Sequence, residues 1–377
     1  MTLNNLKITE NKSEYINPVF YAKADLNVLL KYCLDIGASD ITIQAGHYVF
    51  VERQGALVTI GSRILSVKDV EDIAVCLYGD NVIALVMSGH DIDISYNDCL
   101  YSRKVENRFR VNITACHYKK GIHSLQISLR VIPSTPPSLE NVGVNIEFYE
   151  KFKIQQGVVI VSGATGSGKS SLLAAVINKH LCAAQHGLKI LTYESPIEYT
   201  YSSQDAQSII SQTEVPRYLP SFCAGVRNAL RRKPGLIMVG ETRDLETLDA
   251  VLEAALTGHP VYTTIHSNSV VDTFKRVFEM FPYEQRGLKM HTFLSSARLL
   301  VWQTLVPNLH GGQVAIREHL TLTPKLRAYL LSLSLNKLQQ NINDIFATHG
   351  VTRQQSAHAA FEQQLISLST YQKVSTL

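Results

Sequence analysis

The sequence predicts an α/β protein built on a mostly parallel sheet, with an α+β segment before it and a helical segment after it. Three observations predict this. Four runs that are apolar throughout, "GVVIVSG", "LKILTY", "GLIMVGE" and "PVYTTIH", alternate with helical stretches. Strands of that kind are buried on both faces, as in a parallel sheet covered by helices. Upstream, residues 25–132 mix a helical pattern, "LNVLLKYCLDIGA", with short alternating runs such as "DITIQ", "GALVTI", "RFRVNIT" and "SLQISLRVI". Downstream, "KLRAYLLSLSLNKLQQNINDIF" and "AHAAFEQQLISLSTYQ" are helical and polar.

In chain order the reading gives an N-terminal α+β domain over 1–132, a linker over 133–143, the sheet domain over 144–317 and a helical subdomain over 318–377. The linker, within "IPSTPPSLENVG", is placed by Pro133, Pro136 and Pro137, which deny both helix and central strand and leave a semi-rigid connector. A length of 377 residues has room for two or three such domains at roughly 150 residues each. With 45% hydrophobic and 18% charged residues the chain is globular and not disordered. A net charge of +4, from 36 basic and 32 acidic residues, with no basic stripe interleaved with aromatics, argues against nucleic acid as a partner.

The six cysteines, Cys33, Cys76, Cys99, Cys116, Cys182 and Cys223, include no C-x-x-C pair and read as thiols of a reducing compartment. "MTLNNLKITENKSEY" lacks the apolar region of a secretion signal, and no run is long enough to span a bilayer. A cytoplasmic protein is expected, touching membrane only through partners.

The strongest motif is "SGATGSGKSS", Gly163, Ala164, Thr165, Gly166, Ser167, Gly168, Lys169, Ser170 and Ser171, between an apolar strand and an amphipathic helix. Glycines there let consecutive N–H groups and the helix start point at phosphate oxygens. Lys169 is expected to reach the β- and γ-phosphates, and the Ser170 hydroxyl to ligate Mg²⁺. A guanine-specifying N-K-x-D is absent, since "NKHL" and "NKLQ" lack the aspartate, and "HGGQ" is not preceded by the Leu-Ser of ABC ATPases. ATP and a motor-type site are favoured.

Two further stretches end strands with candidate chemistry. "LIMVGETRD" places Glu241 where a carboxylate would hold the Mg²⁺ and water shell, and "ALTGHPVYTTIHSNS" sets His259 before a strand and His266 after it. In "LTYESPIEY", Glu194 ends a strand and is expected to face the nucleotide. Glu198, beyond Pro196, is expected to turn away.

Taken in order, "SGATGSGKSS", "ILTYESPIEY", "QTEV", "LRRKPGLIMVGETRD" and "TGHPVYTTIHSNS" resemble the secretion ATPases of type IV pilus, type II and type IV secretion systems. "GASDITIQAG", "NRFRVNI" and "LRVIPSTPPSLENVG" extend the likeness over residues 25–317, and "GGQVAIREHL" with the helical tail is more similar to the type IVB branch and its conjugative-plasmid relatives than to the PilT-like retraction branch. The resemblance implies a RecA-like P-loop core, a PAS-like N-terminal domain, ATP and Mg²⁺ as cofactors, and a homo-hexamer. It also implies that hydrolysis powers a secretion or conjugation apparatus, reached at the inner membrane through secretion-complex proteins and a partner ATPase. A pilus-retraction motor and a slowly hydrolysing assembly scaffold are the alternatives.

By the same resemblance Glu194 falls in the acidic box that orients the attacking water, Glu241 is the Walker B acid and His259 and His266 form the His box. Arg108, Arg110 and Arg130 match N-terminal arginines, one of which would act as an arginine finger. Two departures stand out. Ser195 replaces the family's usual aspartate, and Arg232, Lys233, Pro234 and Gly235 replace an acidic stretch before Walker B.

Overall fold

The computed structural model describes residues 15–53, 55–98, 107–119, 121–183, 187–201 and 207–375; the N-terminal stretch read for a secretion signal is therefore almost entirely outside the described residues, as is Cys99. The five described cysteines form no disulfide. The chain divides into two compact units, Met1–Ser134 and Thr135–Leu377.

The first unit runs α1 (Lys23–Asp35), β1 (Asp40–Gln44), β2 (Val49–Arg53), β3 (Ala56–Ile60), α2 (Val67–Tyr78), α3 (Val82–Met87), β4 (Ile92–Asp98), β5 (Asn107–Lys119) and β6 (Ile122–Ile132). Its strands form one antiparallel sheet in the order β3, β2, β1, β6, β5, β4. Strand alternation sends Ile41, Ile43, Phe109, Val111, Ile113, Ile127 and Leu129 to one face, where they pack with Leu26, Leu29 and Leu30 of α1 and Val70 and Ile73 of α2. The residues between them make the other face polar, and all three predicted arginines sit there. Arg110 and Arg130 are cross-strand partners. Arg110 donates from Nε to Asp93 Oδ1 at 3.0 Å, Arg130 from Nε to Asp40 Oδ1 at 2.7 Å, and buried Arg108 from Nε to Asn97 Oδ1 at 3.0 Å.

The second unit begins with α4 (Ile146–Glu150), β7 (Gly157–Ser162), α5 (Lys169–Ala183), β8 (Lys189–Glu194), β9 (Ile209–Glu214), α6 (Phe222–Ala229), β10 (Leu236–Val239), α7 (Leu245–Leu256) and β11 (Pro260–Ile265). It continues with α8 (Val270–Met280), α9 (Arg286–Ser296), β12 (Ala297–Pro307), β13 (Gln313–Thr321), α10 (Pro324–Ser332), α11 (Leu335–His349), α12 (Arg353–Glu362) and α13 (Leu368–Ser375). The sheet order is β13, β12, β7, β11, β10, β8, β9, parallel except for the β12–β13 pair. Alternate residues of β7 serve two cores. Val158 and Ile160 pack with α7 and α8, whereas Val159 and Val161 pack with α4 and α5. Each such fully buried side chain contributes about 1.5–3 kcal/mol. Ser221, Asp244, Ser269, Thr323 and Thr352 accept backbone N–H bonds at helix starts, which fixes where α6, α7, α8, α10 and α12 begin.

Two boundaries differ from the sequence reading. The helical segment expected from residue 318 starts at Pro324, because β13 pairs with β12 as far as Thr321. The linker expected over 133–143 is docked in its second half: Leu139 is buried and Arg317 takes the carbonyls of Val142 and Gly143. Among the described residues no helix is long and apolar enough to cross a membrane.

A buried imidazole ties α5 to the sheet. Tyr149 OH lies 3.0 Å from His180 Nδ1, His180 Nε2 lies 2.9 Å from Tyr262 OH, and Tyr262 OH donates to the Phe152 carbonyl. That direction of donation makes Nε2 the protonated nitrogen of a neutral ring. Burial, aided by the Lys153 charge, pushes His180 down to about 4, and burial with Lys151 and Arg317 does the same to His319. As pH falls below about 6.5, unfolded chain binds protons that the folded chain refuses until about pH 4. Stability is therefore complete above that window and falls through it, by at most ~3 kcal/mol for each ring. Urea midpoints measured at pH 7 and pH 4.5 should differ accordingly, and less so in His180→Gln; equal slopes against pH in the two proteins would refute the assignment.

Candidate active site

β7 delivers the chain to the phosphate loop and α5 carries it away. Gly163, Gly166 and Gly168 have φ of +148°, +78° and +80°, conformations that L side chains rarely adopt. Two of them are also hemmed in by Gln303 of β12. A Cβ on Gly163 would stand 2.4 Å from the Gln303 carbonyl oxygen, and one on Gly168 would stand 2.8 Å from Gln303 Nε2. Ala164, Thr165 and Gly166 are exposed at the crest of the loop. Ser167 is buried, its carbonyl accepts from Gln303 Nε2 at 2.6 Å, and among the described residues its Oγ has no hydrogen-bond partner. Lys169 Nζ turns back onto the loop, donating to the Gly163 and Ala164 carbonyls at 2.9 and 2.8 Å. Ser170 is part-exposed in the first turn of α5, and Ser171 Oγ lies 2.7 Å from Tyr199 OH.

Around this loop stand three groups. Glu241, just past the end of β10, receives Arg243 Nε on Oε2 at 2.9 Å and has His266 Nε2 at 3.4 Å from Oε1. His266, just past the end of β11, also meets the Gly163 backbone. Burial and the Lys169 charge push His266 below the usual imidazole value, against the pull of Glu241, so its ring is neutral at neutral pH. Burial pushes the Lys169 ammonium down, and two carboxylates oppose that shift: Glu241 and Glu198.

Glu194 is buried, and its Oε1 accepts from Thr192 Oγ1 at 2.6 Å and Gln212 Nε2 at 3.1 Å. Gln212 Nε2 also donates to the Tyr199 carbonyl at 2.8 Å, so it joins Glu194 to the turn that carries Glu198. Beside the loop a cavity of about 480 Å³ is lined by Asn141, Gly168, Ser171, Tyr199, Gln303, Leu305 and Arg317, among others. That is within the usual size of small-molecule sites. Arg317 is buried, holds Gln303 Oε1 at 2.7 Å from its Nε and the Gly143 carbonyl at 2.7 Å, and burial lowers it to about 10.

Residues 102–357 match the family described as Type II/IV secretion system protein. This chain belongs to that family. It is 32% identical over 303 residues to the type IV pilus retraction ATPase PilT of Pseudomonas aeruginosa, covering 80% of this chain and 84% of that protein. Among solved structures, the ATPase DotB of Legionella pneumophila superposes with a TM-score of 0.90 at 40% identity, covering 97% of this chain and 99% of that one. The pilus retraction motor PilT with bound ADP superposes with a TM-score of 0.78 at 30% identity, covering 92% and 96%. The second unit accordingly has the RecA-like core of these ATPases.

Within this secretion-ATPase core the two histidines flank β11 as the sequence sets them: His266 follows the strand and His259 precedes it. It lies at the opposite end of β11, where its carbonyl accepts from Gly157 N at 3.1 Å and its Nδ1 lies 3.3 Å from the Ala254 carbonyl. Six strand residues, about 20 Å at 3.3 Å each, stand between the two rings. Glu198, expected to turn away, is near enough for its charge to oppose the lowering of the Lys169 ammonium, after that of Glu241. Gln303, Arg317, Tyr199 and Glu214 were not singled out from the sequence. Glu214 is the lateral partner of Glu194 and accepts from Ile197 N at 3.3 Å, and the quoted "QTEV" was its only trace.

Proposed function

We propose that this chain is an ATPase that binds ATP with Mg²⁺ at the phosphate loop and works as a homo-hexamer powering a type IVB-like secretion or conjugation apparatus at the inner membrane. The observation that carries the reading is the convergence of Glu241, His266 and the Glu198 charge on Lys169 and its loop. The loop fits a phosphate chain. Its glycines hold the positive-φ conformations that such anion-binding loops need, its buried Ser167 hydroxyl lacks a partner among the described residues, and the Lys169 ammonium is satisfied by two carbonyls that phosphate oxygens can replace.

In this mechanism Lys169 leaves the loop carbonyls for the β- and γ-phosphates, and Ser170 and Glu241 are the residues that would hold the cation. Mg²⁺ would offset phosphate charge as the γ-phosphoryl departs. His266, neutral beside Gly163, reports on the γ-position. Glu198 accepts the proton of the attacking water, and Glu194 sets the Glu198 turn through Gln212. Of the three arginines, Arg130 is assigned the finger role, since it is the most exposed and, among the described residues, is held by one exposed ion pair, to Asp40.

The 40% identity to the DotB structure, which extends through the helical tail, favours the type IVB reading. The 32% identity to PilT favours a retraction motor as the second reading. Phosphate release and molar mass, measured on the full chain with and without ATP and Mg²⁺, test the proposal. Release by a species of six times the 42.0 kDa chain mass is expected. ATP binding with no release would overturn the motor in favour of a scaffold. Rescue of twitching in a cell lacking its own retraction motor would favour the second reading.

A further inference from the structure

His266 is followed by a short segment whose backbone is gripped from three other elements. Trp302 Nε1 of β12 donates to the Ser267 carbonyl at 3.2 Å. Arg353, the first residue of α12, donates from its terminal NH2 to the Asn268 carbonyl at 2.7 Å. Glu318 Oε2 of β13 accepts from Val270 N at 2.9 Å. These side chains also hold one another. The Arg353 guanidinium lies 4.0 Å above the Trp302 ring, and its Nε is 3.3 Å from Glu318 Oε1 with the two side chains only 14% and 7% exposed. On its inner side the segment is tied to the foot of the phosphate loop, through Ser267 Oγ, Thr273 Oγ1 and Ser162 Oγ at 2.7 and 2.8 Å.

We propose that Arg353 is a positioning residue, which with Trp302 and Glu318 fixes the 267–270 segment and thereby sets His266 against Gly163 and Glu241. The C-terminal helical segment then belongs to the nucleotide-sensing apparatus and is more than an appendage. The proposal rests on the reading of His266 as the residue that reports the γ-phosphate. Removing Arg353 leaves the Glu318 carboxylate buried and without its cation, and such a group reorganises or takes up a proton. Either outcome loosens its hold on Val270. Lysine would not substitute, because only the planar fork stacks on Trp302 while reaching both Glu318 and Asn268.

The helix itself does not depend on this contact. α12 is seated by Ala357 and Ala360 packed with Ile316, by Ser356 Oγ accepting from Arg317 N at 3.0 Å, and by the His319–Val351 bridge just before it. Arg353→Met should therefore stay docked while its loop comes loose.

The test uses the full chain and two readouts. Amide exchange over 266–270 should quicken roughly ten-fold in Arg353→Met, with α12 and β13 unaltered. The control Gln355→Ala, which removes the capping contacts of the same helix start without touching the loop, should exchange as the wild type does over 266–270. In turnover, Arg353→Met should lower kcat about ten-fold with KM within about two-fold, and Arg353→Lys should recover little of it. Added to His266→Ala, Arg353→Met should cause no further loss. Unaltered exchange in Arg353→Met, equal quickening in Gln355→Ala, or multiplicative losses in the double variant would each overturn the inference. Wild-type turnover by His266→Ala would instead refute the sensor reading, while the exchange result still decides whether Arg353 holds the segment.

Discussion

Lys169→Ala should abolish ATP turnover, with an expected loss of about a thousand-fold or more, while the fold survives. The size follows from what surrounds the ammonium. It is a largely buried cation with the charges of Glu241 and Glu198 directed at it, in a site where a polyanion must be accommodated. Without Lys169 those two carboxylates face the incoming phosphates uncompensated, and electrostatic preorganisation is the chief source of phosphoryl-transfer catalysis. The variant also loses the two hydrogen bonds to Gly163 and Ala164, a cost of about 1 kcal/mol each. Thermal unfolding separates the two effects. The wild type should gain about 2.7 kcal/mol of stability when ATP reaches a hundred times its Kd, and Lys169→Ala should gain nothing at that concentration. Turnover near that of the wild type would sink the mechanism.

Glu198→Gln should lower kcat by about a hundred-fold or more, and Glu194→Gln by about ten-fold. Both carboxylates were legible in "LTYESPIEY", and the order of their effects comes from geometry. The Glu194 Oε1 already accepts from Thr192 and Gln212, whereas the Glu198 charge acts on Lys169. Glutamine at 194 keeps an acceptor for both donors, so the turn should largely hold. Glutamine at 198 cannot take up a proton. The discriminating measurement is single-turnover phosphate release under saturating ATP, since nucleotide affinity should change little in either variant. A larger loss at Glu194 than at Glu198 would reverse the assignment and restore the strand-end residue as the one that prepares water.

What the sequence disclosed follows from how each element is buried. β7, β8, β10 and β11 are enclosed on both sides, so their residues are apolar in unbroken runs and announce themselves. The phosphate loop is legible because its function constrains consecutive residues. β13 carries Arg317, Glu318 and His319 within a strand, a charged stretch that reads as surface although Arg317 and Glu318 are buried. Their partners, Gln303, the Val142 and Gly143 carbonyls and Arg353, lie from 14 to 175 residues away. No local pattern encodes such pairings. The two histidines were legible in the same way: the apolar run between them reads as one strand, and β11 has one at each end. For Glu198 the sequence showed that a turn must follow Pro196, but not where the turn leads.

The crowding of Gln303 against the phosphate loop bears on how such motifs are interpreted. A Cβ on Gly163 would meet the Gln303 carbonyl, a backbone atom of a neighbouring strand, and one on Gly168 would meet the Gln303 side-chain amide from a backbone at φ +80°. Both glycines are favoured by the architecture itself. A descendant of this fold that had lost all hydrolytic capacity would still be pressed to keep them, Gly163 above all. Their presence therefore records ancestry and packing, and a vestigial copy would be unmasked first at Lys169, Glu198 and Glu241, where no steric debt enforces identity.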